Sequence, residues 1–112
     1  MIYKQLGRTF PTNTTQSLLY TTPNNGSNTR LTSVIVTKVI NAAATFDIYI
    51  NPGTTFDKTT AIFYQIEMKA DKRVEIIEFN SGLGLGVKNN QVYVRSNTAS
   101  AFNFNAFGEA IK

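Results

Sequence analysis

Late in the chain, Phe102-Asn103-Phe104-Asn105 alternates apolar and polar side chains one by one. Successive side chains of a strand point to opposite faces, so this is the signature of a strand with one face buried and one in water. The pattern recurs. TFDIYI (45–50) sets Phe46, Ile48 and Ile50 against Asp47 and Tyr49. AIFYQIEM (61–68) sets Ile62, Tyr64, Ile66 and Met68 against Phe63, Gln65 and Glu67. QVYVRS (91–96) sets Val92 and Val94 against Tyr93 and Arg95. No window shows capped apolar recurrence at helical spacing. A chain patterned this way buries its apolar faces by stacking sheets.

Further strands are predicted at 16–22, 29–40, 74–79 and 101–111. The run 29–40 is apolar on both phases at its centre, which implies burial on both faces or a subunit contact. Turn residues separate the strands: PNNGSN (23–28), NAAA (41–44), a loop from NPG (51–53) through TTFDKTT, KADKR (69–73) and NTAS (97–100). The chain has 15 Thr and 12 Asn but only 16% charged residues. Threonine suits exposed strand faces and asparagine suits turns, so the surface reads as β-structure too. Short connections favour antiparallel pairing. The expected fold is all-β: one antiparallel β-sandwich of jelly-roll type with seven to eight strands. Residues 1–112 read as a single domain, with an extended N-terminal arm over 1–14 and a core over 15–112.

Catalytic signals are sparse. There is no histidine and no cysteine, which removes the commonest general base, the commonest zinc ligand and every thiolate. Glu75 and Glu78 are three apart, on opposite faces of a strand, and cannot act as an acid–base pair. Asp47, Asp57, Glu67 and Asp71 read as separate surface carboxylates. An oxygen-ligated calcium site in the loop 51–58 has none of the EF-hand spacing. SGLGLGVKNN (81–90) suggests a phosphate loop, but Gly82, Gly84 and Gly86 are spaced GxGxG and no helix is expected after them. It reads as a glycine-rich bend, with Leu83 and Leu85 buried, followed by a turn at KNNQ. No catalytic residue, metal or cofactor is expected, and the chain reads as non-enzymatic.

The net charge is +4, from eleven basic residues scattered along the chain. Only Lys69, Lys72 and Arg73 lie together, with Asp71 among them. That is thinner than a nucleic-acid footprint, so no specific nucleic acid is expected. No apolar run approaches the ~20 residues of a membrane helix, and MIYKQLGRTF lacks the apolar core of a signal peptide. The expectation is a soluble chain that is not secreted by the general pathway. Tyr3, Tyr20, Tyr49, Tyr64 and Tyr93 could stack sugars, which keeps a carbohydrate-binding jelly roll as an alternative. On an extended arm, Leu6 and Phe10 would find little cover within the domain; the alternative is an arm folded back as an edge strand. Tyr3, Leu6, Arg8 and Phe10 are therefore the candidate contact residues toward another subunit.

The order of these pieces resembles a group of small structural proteins of tailed-bacteriophage virions. Leu6-Gly7, Leu19-Tyr20-Thr21 with Pro23, the Val/Ile-rich strand, Ala44-Thr45-Phe46, and Phe107-Gly108 with Ile111 follow that group's pattern. The chain departs from it at Arg8, where the group has Gln, at Thr22, where it has Val, and in the Asn-rich turn 24–28. The resemblance implies a β-sandwich without catalytic residues, assembled in the host cytoplasm into a virion. It implies a capsid decoration or cement protein, usually trimeric, whose partners are copies of itself and capsid proteins. A tail, neck or baseplate accessory protein is the alternative of the same fold.

Overall fold

The computed structural model describes residues 4–22, 28–86 and 90–111. They form eight strands: β1 (Lys4–Thr9), β2 (Ser17–Thr21), β3 (Asn28–Lys38), β4 (Ala44–Ile50), β5 (Ala61–Met68), β6 (Val74–Gly86), β7 (Gln91–Ser96) and β8 (Phe102–Ile111). No helix occurs among the described residues. The strands make two four-stranded antiparallel sheets, in the orders β1-β8-β3-β6 and β2-β7-β4-β5. The expected turn at 23–28, apart from Asn28, and half of that at KNNQ (88–91) lie outside the described residues.

The inner faces of the two sheets share one apolar cluster, in the manner of a β-sandwich. At its centre, Phe46 of β4 meets Phe102 and Phe104 of β8 edge-on, with ring centroids 5.5 and 5.8 Å apart. Leu31, Val34 and Val36 from β3 and Val92 and Val94 from β7 are buried around them. The FNFN alternation has the predicted sense: Phe102 and Phe104 point in, Asn103 and Asn105 out. One side of the sandwich is closed by Phe63 of β5 against Phe79 of β6, with centroids 6.1 Å apart.

Three local readings change. First, residues 4–9 of the expected arm fold back as an edge strand, while 10–14 stay irregular. Lys4–Thr9 pairs antiparallel with β8 at the edge of the first sheet. A bulge between Gln5 and Gly7 breaks the alternation there, which is why no period of two is visible. Gly7 allows the approach: a Cβ at this position would lie 2.2 Å from the Leu19 carbonyl oxygen.

Second, the glycine stretch is strand rather than bend. Gly84 and Leu83 pair with Arg30 and Leu31, so β3 holds a segment whose own β-propensity is low. Between the pairs Ser33–Glu78 and Leu31–Leu83, residues 79–82 oppose Thr32 alone. That wide bulge needs the positive φ of Gly82, 79°. Leu83 is half-buried against the core and Leu85 is buried.

Third, the alternation of residues 61–68 changes phase. Gln65 has φ 52° and sits in a bulge opposite β4. Phe63 therefore points inward with Ile66 and Met68, while Ile62 and Tyr64 point to solvent. As for β3, it buries one face, and its other face is half-buried.

Candidate functional site

Of the four expected contact residues, Tyr3 lies outside the described residues. Leu6 does not need a neighbouring subunit for cover. The β1 bulge turns it inward, and it packs against the core. Arg8 and Phe10 do reach solvent, Phe10 with 44% of its surface exposed. Arg8 faces outward from the first sheet, beside Asn105.

That outer face is broad, and no other described element lies over it. One row across the four strands reads Arg8, Asn105, Ile35 and Ile76. The next reads Gln5, Phe107, Ser33 and Glu78. At the β6 edge Val74 and Ile76 are 46% and 51% exposed. Gln5 Nε2 donates to Asn105 Oδ1 at 2.5 Å, tying β1 to β8 across this surface. At the far end Arg30 lies opposite Glu109, with 3.7 Å from Nη1 to Oε1. Glu109 is buried, and no described residue donates a hydrogen bond to its Oε1.

The outer face of the second sheet is different. Asp47 and Arg95 are cross-strand partners, as are Tyr49 and Tyr93. Asp47 is no surface carboxylate; it is buried. Its Oδ1 accepts from the Gln65 N–H at 2.7 Å, and its Oδ2 accepts from the Tyr49 hydroxyl at 2.8 Å and Arg95 Nε at 3.2 Å. Arg95 Nη2 lies 3.1 Å from the same oxygen, and Nη1 donates to the Phe56 carbonyl at 2.9 Å. The Phe56 ring meets Tyr49 and Tyr93 edge-on, with centroids 5.3 and 5.1 Å away. The guanidinium lies 5.5 Å above the Tyr49 ring centre. Burial holds the Tyr49 phenol well above the ordinary tyrosine range, and the hydrogen bond to Asp47 and that carboxylate's charge push the same way. This constellation bonds the loop 51–60 to the sheet. With Tyr49 fully buried, its hydroxyl is closed to a substrate.

Other polar groups are occupied locally. Asp57 accepts from the Thr59 hydroxyl and backbone N–H, and these bonds hold its carboxyl below the ordinary range. Among the described residues no three His, Cys, Asp or Glu side chains converge as metal ligands. Lys38 is buried, and its Nζ donates to the carbonyls of Ala42 at 2.7 Å and of Ile40 and Ala70 at 3.2 Å. No described carboxylate pairs with it. Of the tyrosines, Tyr64 is the one the structure leaves exposed among those described. Tyr20 and Tyr93 are half-buried.

Compared with protein-family models, with curated proteins and with solved structures, the chain gives no significant match.

Proposed function

We propose that this chain is a non-enzymatic structural protein of a tailed-bacteriophage virion, a decoration protein that cements the head shell. The observation that carries this reading is the strand order. In β1-β8-β3-β6 over β2-β7-β4-β5, the chain crosses repeatedly between the two sheets, and its first and last strands lie side by side. We read this as an eight-stranded jelly roll, an architecture common in viral capsid and lectin domains. The sequence resemblance supports the viral choice. A lectin would draw support from several tyrosines lining a groove. Here Tyr49 is covered by Phe56, and Tyr20 packs against the core.

The mechanism in this reading is mechanical. Arg8, Phe10 and the uncovered sheet face around them supply contacts to neighbouring subunits. Such contacts are individually weak, and a symmetric shell multiplies them. The partners are copies of the chain and capsid proteins, and the working location is the particle.

Quantitative mass spectrometry of purified particles tests this. Copy number proportional to the number of capsomers is the expected outcome. A few copies per particle would move the protein to the tail, neck or baseplate. Absence from purified particles would refute the virion assignment.

A further inference from the structure

The geometry points to the outer face of the first sheet as a self-association surface, on which two copies pack face to face about a two-fold axis running along the strands. This goes beyond the virion reading and does not depend on it.

The charges on this face sit at self-complementary positions. Arg8 projects from β1 at one edge of the sheet, and Glu78 from β6 at the other. Glu109 and Arg30 project from the two inner strands, β8 and β3. A two-fold axis parallel to the strands lays β1 of one copy over β6 of the other, and β8 over β3. Each Arg8 then meets a Glu78 one row away, and each half-exposed Arg30 lies over the buried Glu109 of the other copy. All four contacts pair opposite signs. An axis across the strands would instead lay β1 on its own copy, and KQLGRT offers Arg8 no carboxylate. The charge pattern thus selects one symmetry, and an isologous interface of that symmetry is self-complementary.

The uncharged positions agree. Between the charges lie Ile35 and Ile76, with Phe10 and Val74 at the opposite edges of the next row. The same axis brings Phe10 of one copy toward Val74 of the other. Glu109, buried with an Oε1 that no described residue hydrogen-bonds, gains a second guanidinium nearby. The face offers roughly a dozen residues, about half of a standard interface, so the dimer should be weak.

Sedimentation equilibrium of the purified chain, up to about 1 mM in low salt, tests the proposal. The expected result is a monomer–dimer equilibrium that weakens as salt rises. Arg8→Glu alone and Glu78→Arg alone should each raise Kd about tenfold or more, since each reverses two symmetric contacts. Both residues are exposed, so melting curves should stay close to that of the parent. Mixing the two variants should restore dimerisation, now as a heterodimer. The mixed pair opposes the introduced carboxylate to the introduced guanidinium and the native Arg8 to the native Glu78. Ile76→Lys should abolish the dimer without charge rescue. A chain that stays monomeric throughout, single variants that dimerise like the parent, or a mixture that fails to recover would each overturn the proposal. A dimer formed by a chain absent from virions, or a virion protein that is monomeric, would separate this inference from the functional reading.

Discussion

Lys38→Met is the most informative single change to the fold. The ammonium of Lys38 is inside the domain and bonds three carbonyls, at 2.7, 3.2 and 3.2 Å. These belong to the turns after β3 and β5, so one side chain fastens two connections at the same end of the sandwich. A hydrogen bond from a charged donor contributes about 1.5–3 kcal/mol when short and well aligned. With one short bond and two long ones, the three together amount to about 4 kcal/mol. Methionine keeps the stem and removes the buried charge, which offsets part of that figure. The net loss should be about 2–3 kcal/mol, or about 10 °C in Tm for a chain of this length. Urea unfolding at neutral pH measures it, with Lys72→Met as a control. Lys72 is exposed and among the described residues pairs only with Glu75, so its loss should cost less than about 0.5 kcal/mol. A Lys38→Met chain as stable as the parent would refute the reasoning. Desolvation would then outweigh the carbonyl bonds, and the lysine would have no stabilising role.

Other outcomes follow from the packing. Gly7→Ala sets a methyl group 2.2 Å from a backbone oxygen and should cost about 3 kcal/mol or prevent folding; Gly84→Ala, with open space around it, should change stability by less than about 1 kcal/mol in the same denaturation assay. Asp47→Asn leaves Arg95 beside an uncharged amide and should cost about 2–3 kcal/mol, read as an earlier urea midpoint, with faster proteolysis of the loop 51–60 that Arg95 anchors through Phe56. Tyr49 gives a pH signature. Its folded pKa is raised, so the stability it contributes is fully present below about pH 10, where an unfolded tyrosine titrates, and is lost as pH rises beyond that value. The slope should approach about 1.4 kcal/mol per pH unit and flatten in Tyr49→Phe, and in the ultraviolet one of the five tyrosines should ionise only as the chain unfolds.

Two strands were legible in the sequence to the residue in extent: β7 at 91–96, and β5 at 61–68 although not in phase. The phase failed at Gln65 because a left-handed residue inside a strand leaves no mark on composition. β1 was hidden by its bulge, and the later half of β6 by glycines that become strand only because β3 lies beside them. Both are tertiary effects. Lys38 could have been found, since it shares the phase of Val34 and Val36 and so must enter the core side. The Asp47–Arg95 pair could not. Each residue alternates correctly within its own strand, but nothing local says that β4 lies against β7.

The placement of β8 has a consequence for timing. It lies between β1 and β3, and Gln5 bonds Asn105 across one hundred residues of chain. Until those last strand residues leave the ribosome, β1 has no partner, and the flank of β3 that β8 will occupy stands open. The first sheet therefore cannot be completed until synthesis has passed residue 111, and loop closure on that scale favours slow folding. Newly made chains would spend that interval with β3, a long apolar strand, exposed along one edge, and a cell producing many copies would face its greatest aggregation hazard then rather than after folding.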